Sequence, residues 1–300
     1  MSVAVPFVSW YWVIAADGSA VYALGFYPDG SERALVASDS TVLAVFDPAT
    51  GAEQARIELP GLKVGQRREL DARGVPEYWQ YFPGLVLSHD GNHAYLAHAE
   101  EPFLDVIDLR SRRIERTLRT DIDTVARGPL EWFLDLASQP ANAKGGPTAS
   151  AWLASSPDGR RLYTRLYGRD TAEPSPVWVV DTNSWPVHSL VTNVNSAILS
   201  NDGRWIYVPE WQATGIRVLD ARSGREVTRL LPDVKPYRLM DYGADRLYVL
   251  VPGPDHHTVP PYVQGDGEAF NELVAFEPGA WRETARRMGG WGLGIATAPF

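Results

Sequence analysis

The chain has 300 residues, of which 45% are hydrophobic and 22% charged, and it contains no cysteine. A chain of this size and composition can bury a large apolar core, which excludes a disordered protein. The formal net charge of −9 argues against nucleic acid as a partner, and the absence of cysteine excludes disulfides and thiolate chemistry. The 11 Trp, 13 Tyr, 26 Gly and 23 Pro favour an all-β protein in which tight turns separate aromatic strands.

The N-terminal stretch is apolar without resembling a signal peptide. In residues 1–16 no Lys or Arg precedes the apolar part, and Pro6 interrupts it. Since a secretory signal begins with a basic segment, this stretch is predicted to be a strand, and no signal peptide is expected within the sequence. No window of 18 residues is uninterruptedly apolar, so no membrane span is expected.

A hairpin motif recurs along the chain. Residues 88–91 read Ser-His-Asp-Gly before an apolar run, and the same order recurs at 156–164 and 200–208, with looser copies at 17–22 and 243–249. Asp-Gly between apolar runs is typical of a two-residue hairpin turn, because Gly adopts the positive φ that such a turn needs. The sequence therefore predicts five hairpins.

Each hairpin is followed by a second turn motif. A Val-x-Asp segment or a drifted form of it lies at 45–47, 106–108, 179–181, 218–220 and 275–277. The carboxylate of such an Asp accepts hydrogen bonds from backbone N–H groups two residues on and so starts the turn into a fourth strand. We predict that Asp108, Asp181 and Asp220 are structural turn residues and not parts of a site.

The two turns together imply units of four strands. Asp158 and Asp202 lie 44 residues apart, and Asp202 and Asp245 lie 43 apart, close to the roughly 40–45 residues of a four-stranded propeller blade. The predicted fold is all-β, a β-propeller of four-stranded antiparallel blades in a single domain over residues 1–300. Five blades can be identified from their turn motifs. A sixth would use residues 291–297 with residues 3–8, and there would be seven if the chain is a fragment.

The paired turns resemble the YVTN-type propeller repeats of bacterial surface and periplasmic proteins, most clearly at residues 90–118 and 202–230. This resemblance implies a bacterial propeller in the periplasm or outside the cell. Similar propellers include metal-dependent lactonases and the large subunits of amine dehydrogenases. No lactonase ligand matches a residue of this chain, so the resemblance implies a fold and leaves the activity open.

The order of strands in a meander sorts the connections into two sets. The Asp turns lie at one end of the strands, and the long connections lie at the other, which we call the long-loop rim. These connections are residues 27–40, 61–82, 120–148, 167–176 and 252–272. Loops of more than about 12–15 residues are usually functional or disordered, and these carry aromatic residues that disordered segments lack. The long-loop rim is therefore the predicted binding face, with a short helix expected at 129–137.

Polar and aromatic side chains from separate blades are expected to meet at the channel mouth on this rim. The predicted ligand-binding residues are Glu100, Arg169, Glu210, Trp211, Tyr78, Trp79, Trp132 and His256. Carboxylates such as those of Glu100 and Glu210, the amide of Asn195 and the imidazole of His98, gathered in this way, could hold a divalent cation such as calcium. The alternative is that the aromatic residues only hold the loops in place and the charges stay in water.

The sequence offers two classes of function. It lacks the His-Glu-x-x-His, Gly-x-Ser-x-Gly and phosphate-loop motifs, so no catalytic residue is assigned. A non-enzymatic propeller that binds a protein, peptide, glycan or small molecule at the long-loop rim is favoured. The alternative is an enzyme or enzyme subunit with a channel-mouth site, either a metal-dependent lactonase-like hydrolase or a supporting subunit like that of amine dehydrogenases.

Overall fold

A computed structural model describes residues 7–27, 40–70, 73–120, 148–167, 175–194, 197–209, 214–234, 238–241, 246–252 and 271–289. All regular secondary structure in these ranges is β-strand, and none of it is helix. The 22 strands form five sheets. This confirms the predicted all-β class and its four-stranded antiparallel sheets.

The chain divides into two compact units, residues 1–193 and 194–300. In the first unit, blade 1 consists of β1 (Val8–Ile14), β2 (Val21–Phe26), β3 (Ser40–Phe46) and β4 (Glu53–Pro60). A hairpin of β5 (Gly65–Leu70) and β6 (Pro76–Phe82) follows. Blade 2 consists of β7 (Gly84–Leu87), β8 (His93–Ala97), β9 (Phe103–Asp108) and β10 (Arg113–Arg119). Blade 3 consists of β11 (Thr148–Ser155), β12 (Arg161–Tyr167), β13 (Ser175–Asp181) and β14 (Val187–Val194).

The second unit contributes two more blades. Blade 4 consists of β15 (Ile198–Leu199), β16 (Trp205–Pro209), β17 (Ile216–Asp220) and β18 (Glu226–Leu230). Blade 5 consists of β19 (Arg238–Asp241), β20 (Leu247–Pro252), β21 (Asn271–Glu277) and β22 (Arg282–Gly289). The five blades stand where the five hairpin motifs place them. Residues 291–297 and 3–6, expected to help form a sixth blade, lie outside the described ranges, so closure and the single domain stay predictions.

Apolar side chains of the strands form the cores of both units. One cluster joins blades 1 and 2 through Leu24, Leu43, Leu96 and Ile107, all fully buried. A second joins blades 2 and 3 through Tyr95, Leu104, Leu162 and Val180. In the second unit, Tyr207, Val218, Val249 and Val274 belong to one cluster that joins blades 4 and 5. Strands with apolar residues on both faces are expected where sheets pack face to face.

The Asp-Gly turns form where the sequence predicts them, but they are not two-residue turns. In blade 2 the Ser88 N–H donates to the His93 carbonyl over 2.9 Å, and the Gly91 N–H donates to the Ser88 carbonyl over 3.0 Å. The Asp90 carboxylate accepts the Asn92 N–H over 3.0 Å, and Gly91 has a φ of 68°. The turn is therefore four residues long, because the Ser before it forms the closing pair. The Ser156 and Ser200 turns repeat these bonds, and the turn at 243–245 lies outside the described residues.

The second turn motif is formed by the Asp side chains, as predicted. In blade 4 the Asp220 Oδ1 accepts the Ser223 N–H over 2.8 Å and the Ser223 hydroxyl over 2.7 Å. The Gly224 N–H closes the turn on the Asp220 carbonyl over 2.8 Å. Asp108 and Asp181 accept equivalent backbone bonds in blades 2 and 3. These bonds support a structural role for the repeated Asp.

Replacing Asp220 with alanine is expected to lower the free energy of unfolding by about 0.5–2 kcal/mol, as loss of a side-chain cap does. The reason is that the backbone N–H and the hydroxyl of Ser223 lose their acceptor. Denaturant unfolding of the full chain measures the change, and the exposed Asp233→Ala serves as control. Loss of ligand binding without loss of stability would contradict the structural role.

Three of the five second turns place a residue other than glycine in the left-handed region. Arg112, Trp185 and Trp281 have φ of 59°, 65° and 54° at the position that Gly51 and Gly224 occupy in the other two. Such a conformation costs an L-residue roughly 1–2 kcal/mol. Arg112→Gly is therefore expected to raise the free energy of unfolding by about 0.5–1 kcal/mol after the entropic cost of glycine. Arg110→Gly in the same turn relieves no backbone strain and should destabilise the protein. If Arg112→Gly and Arg110→Gly change the free energy of unfolding equally, the strain argument is wrong.

The turn carboxylates should make the protein sensitive to acid. Hydrogen bonds to the charged form hold the pKa below its usual value in Asp17, Asp47, Asp90, Asp108, Asp158, Asp181 and Asp220. For Asp90 the bonds from the Ser88 hydroxyl and Asn92 lower the pKa from 3.8 to about 2. A carboxylate whose pKa is lower in the folded than in the unfolded state stabilises the fold at a pH above the unfolded-state pKa. That contribution is lost as the pH falls through the folded-state pKa.

The free energy of unfolding is therefore expected to drop between about pH 4 and pH 2. Chemical denaturation at a series of pH values measures the slope. Asp90→Asn keeps an acceptor but does not titrate, so the variant should show a smaller slope in this window. The same slope in both proteins would count against the assignment.

Candidate functional site

The segment 61–82, predicted to be a long loop, is mostly a β-hairpin. Strand β6 pairs in parallel with β11, with Gln80 opposite Thr148 and Phe82 opposite Ser150. The hairpin thus extends blade 3 into a six-stranded sheet of order β14-β13-β12-β11-β6-β5. The expectation of a loop is wrong because the polar and aromatic residues 80–82 pair with β11, the first strand of blade 3, whose residues lie 68 positions further along the chain.

The hairpin meets the connection between β8 and β9 at a cluster of charged side chains. The Lys63 Nζ lies 2.8 Å from the Glu69 Oε1 and 2.6 Å from the Glu100 Oε2. The Tyr81 hydroxyl donates to the Glu69 Oε1 over 2.7 Å, and the Lys63 Nζ lies 5.0 Å from the centroid of the Tyr81 ring. We call Lys63, Glu69, Tyr81 and Glu100 the hairpin site.

The charges of the hairpin site stabilise one another in a partly buried position. Burial opposes the charged form of Lys63, but the hydrogen bonds to Glu100 and Glu69 outweigh it, and the pKa of Lys63 lies above its usual value. Burial also opposes the charged form of Glu69, yet the hydrogen bonds from Lys63 and Tyr81 hold its pKa below the usual value. Lys63 and Glu69 are therefore both ionised at neutral pH.

A second polar group lies in the same connection of blade 2. The His98 Nε2 lies 2.9 Å from the Asp105 Oδ2, and the Thr117 hydroxyl donates to the Asp105 Oδ1 over 2.6 Å. Asp105 is only 5% exposed, and the His98 ring packs edge-on against Phe103. An imidazole that a buried carboxylate orients is suited to transfer protons or bind a ligand.

Further contacts join the hairpin to blade 1. The Arg67 Nη2 donates to the Leu62 carbonyl over 3.2 Å and to the Thr41 hydroxyl over 3.3 Å. The Thr41 hydroxyl itself donates to the Leu62 carbonyl over 2.6 Å, and Thr41 is fully buried. The hairpin is thus attached to all three blades of the first unit, which gives the hairpin site a rigid support.

Of the predicted ligand-binding residues, the structure places Glu100 in the hairpin site. Tyr78 and Trp79 lie on β6, at 39% and 8% exposure. Successive strand residues point to opposite faces, so these two side chains cannot line one pocket. Trp79 instead stacks on Tyr81 with centroids 6.2 Å apart and packs with Ala99.

The other five predicted residues lie outside the described ranges, as do the expected helix and nearly all of four of the five long loops. The five are Arg169, Glu210, Trp211, Trp132 and His256. Their place in the site stays a prediction.

Sequence reasoning missed three members of the hairpin site, Lys63, Glu69 and Tyr81. Lys63 precedes β5, Glu69 belongs to β5 and Tyr81 belongs to β6, and the position of both strands depends on the parallel pairing of β6 with β11. No local motif reports such a long-range pair. The pattern that places Glu69 opposite Glu77 and Arg67 opposite Trp79 could have indicated a hairpin around residues 71–75. It could not have indicated β11 as the strand with which this hairpin pairs.

Comparison with solved structures supports the fold. Hydrazine synthase of Kuenenia stuttgartiensis matches 98% of this chain and 68% of its own, with a TM-score of 0.56 and 15% identity. A protein of unknown function from Desulfotomaculum acetoxidans matches 98% of this chain and 73% of its own, with a TM-score of 0.51 and 11% identity. A chain of a mitotic checkpoint complex matches 93% and 67%, with a TM-score of 0.50 and 10% identity. The structural neighbours are β-propeller proteins, so this chain has a β-propeller fold.

The sequence comparisons are negative, and the chain matches neither a protein-family model nor a curated protein. Likeness at such low identity to the solved structures establishes the fold and no activity. In the described ranges no helix is long and apolar enough to cross a membrane.

Proposed function

We propose that this β-propeller is a non-enzymatic binding protein, and that its hairpin site receives a hydrogen-bond donor of the partner. The partner is a peptide, a glycan or a small molecule that presents an ammonium, amide or hydroxyl group. The observation that carries the proposal is the bridge from Lys63 to Glu69 and Glu100, which brings charges from three segments of the chain to one partly buried position.

Two physical arguments favour binding over a purely structural role. A partly buried ion pair adds little to stability, because desolvation offsets most of the attraction. The hairpin also has other attachments, including the buried Trp79 and Tyr81 and the bonds of Arg67. The side chain of Glu100 retains 20% exposure, and the acidic chain would attract a cationic ligand.

Ligand screening by thermal shift tests the proposal. Spermidine, a tetralysine peptide and cellotetraose represent an amine, a cationic peptide and a glycan. At least one should raise the melting temperature of the wild type and should do so far less for Glu100→Gln. Glu101→Gln is the matched control, because Glu101 is exposed and lies outside the hairpin site. A compound that stabilises the wild type and Glu100→Gln equally, or failure of all three classes, would contradict the proposal.

The His98–Asp105 pair supports an enzymatic alternative of the lactonase-like kind. A base oriented by a carboxylate could activate water for lactone hydrolysis. Hydrolysis of glucono-δ-lactone by the purified chain, with and without added Ca²⁺, tests this alternative. It is supported if turnover falls at least 100-fold in His98→Gln, and it is rejected if the wild type does not exceed the uncatalysed rate.

Location and repeat family belong to the same proposal. The resemblance to YVTN-type repeats favours a bacterial protein of the periplasm or cell exterior, and the absence of cysteine suits an oxidising compartment as well as a reducing one. Fractionation of cells that express the natural gene would test the location. Recovery with cytosolic markers alone would contradict it.

A further inference from the structure

Blade 2 carries a second cluster of possible ligand groups at the Asp-turn end of its strands. His93, Asp108 and Glu115 each offer one ligand atom, and these three atoms lie within 4.8 Å of one another. The His93 Nε2 is 3.2 Å from the Glu115 Oε2. His93 begins β8 directly opposite Asp108, which ends β9, and Glu115 belongs to β10, so neighbouring strands hold all three groups.

The local backbone directs Glu115 towards this cluster. Ile114 pairs with Ile107 and Arg116 pairs with Val106, which leaves Glu115 as the extra residue of a β-bulge. A bulge turns the side chain of its extra residue away from the regular alternation. The two turn bonds of Asp108 from Arg110 and Ser111 end on Oδ1, so coordination through Oδ2 would leave the turn intact.

The other four blades provide internal comparisons, because each has a residue opposite the turn Asp or Glu and another seven positions after it. These pairs are Ala20 and Gln54, Arg161 and His188, Trp205 and Val227, and Arg246 and Thr284. In blade 1 the Gln54 Nε2 donates to the Asp47 Oδ2 over 3.3 Å, and in blade 5 the Arg246 Nη1 donates to the Thr284 Oγ1 over 3.2 Å. Hydrogen bonds thus occupy these positions in blades 1 and 5. Among the residues compared, only those of blade 2 combine an imidazole with two carboxylates.

We infer that His93, Asp108 and Glu115 form a binding site for a first-row transition metal ion such as Zn²⁺. One imidazole nitrogen and two carboxylate oxygens match the ligand preference of zinc, and water would fill the remaining position. Calcium prefers six to eight oxygen ligands, which this site does not offer. Stacking of the His93 ring on Tyr95, with centroids 6.4 Å apart and planes 16° apart, fixes the imidazole orientation.

The site is distinct from the cation site expected at the long-loop rim, since it lies at the opposite end of the blade 2 strands. It also revises the expectation for Asp108, which would serve the turn and the metal together. Asp181 and Asp220 keep a purely structural role, because the residues opposite them are Arg161 and Trp205.

Calorimetric titration of the chelator-treated full chain with ZnCl₂ tests the inference. We expect His93→Ala and Glu115→Gln each to weaken one stoichiometric binding event by more than the roughly 10–100-fold that outer-shell changes cost. His188→Ala is the matched control, because His188 holds the repeat position of Glu115 beside Asp181 in blade 3 and lacks a second carboxylate. Its affinity should stay within twofold of the wild type.

A nuclear magnetic resonance spectrum of the imidazole nitrogens distinguishes this site from other histidines. Zinc should shift the His93 Nε2 signal at the first equivalent, and CaCl₂ at the same concentration should not. The inference is overturned if His93→Ala or the conservative Glu115→Gln binds zinc like the wild type. It is also overturned if His188→Ala loses as much affinity, or if the first equivalent leaves the His93 signal unchanged.

Discussion

Gly84→Ala is expected to lower the free energy of unfolding by about 1–3 kcal/mol, and Gly84→Leu by more. A Cβ at Gly84 would lie 2.7 Å from the Leu153 Cβ, 3.1 Å from the Leu153 backbone nitrogen and 3.2 Å from the Ala151 carbonyl oxygen. Two of these neighbours are backbone atoms of β11 and cannot turn aside. The close approach of β7 to β11 therefore requires glycine, and denaturant unfolding measures the cost.

Gly51 is the control that separates crowding from backbone strain. Its φ is +68°, and an added Cβ would meet nothing within 4 Å. Gly51→Ala should cost about 0.5–1 kcal/mol, which is the strain of the left-handed backbone less the entropic cost of glycine, and Gly51→Leu should cost nearly the same. If Gly84→Leu is no worse than Gly84→Ala, the crowding argument fails.

Lys63→Met is the second change with a large expected effect, because it removes the cation that bridges the partly buried carboxylates of Glu69 and Glu100. A fully buried pair broken on one side costs about 3–5 kcal/mol. Since 34% of the Lys63 side chain is exposed, solvent screening reduces the expected loss to about 1–2 kcal/mol. Lys63→Arg keeps the charge and should cost less.

The loss in Lys63→Met should depend on pH. In the wild type, the bonds from Lys63 and Tyr81 lower the pKa of Glu69 against the effect of burial. Without Lys63, the effect of burial raises the pKa of Glu69 in the folded variant. Protonation of Glu69 at low pH therefore stabilises the folded variant relative to its unfolded state. The deficit relative to the wild type should therefore be largest near pH 7 and shrink below about pH 4. Arg282→Met, which breaks an exposed pair with Glu277, should cost less than about 1 kcal/mol at either pH. A deficit in Lys63→Met that does not change with pH would contradict the electrostatic explanation.

The local turn chemistry made most of the fold predictable. Asp90 with Gly91 and Asp220 with Gly224 form turns where their motifs stand, and their spacing indicates four strands per unit. The turn length was missed because Ser88 adds a closing pair whose side chain and backbone both take part. The bonds from backbone N–H groups to the turn Asp carboxylates, which span two or three positions, could be inferred from sequence order alone.

The candidate site was less predictable because it depends on pairing between distant strands. Glu100 could be named, since it follows a predicted strand. Lys63 and Glu69 reach it only because β6 pairs with β11, whose residues lie 68 positions further along the chain. The metal-binding cluster depends on the bulge at Glu115, which displaces one residue without any Gly or Pro to signal it. In both cases the decisive contact is non-local.

Hydrogen exchange measured by mass spectrometry would test most directly the central claim that the partner binds at the hairpin site. The full chain would be compared with and without the compound that raises its melting temperature in the thermal-shift screen, and Glu100→Gln would be treated in the same way. The account predicts slower exchange in residues 61–70, 73–82 and 98–102 of the wild type, and little change in Glu100→Gln. Protection confined to the Asp turns around residues 88–93 and 108–113, or equal protection in Glu100→Gln, would contradict it.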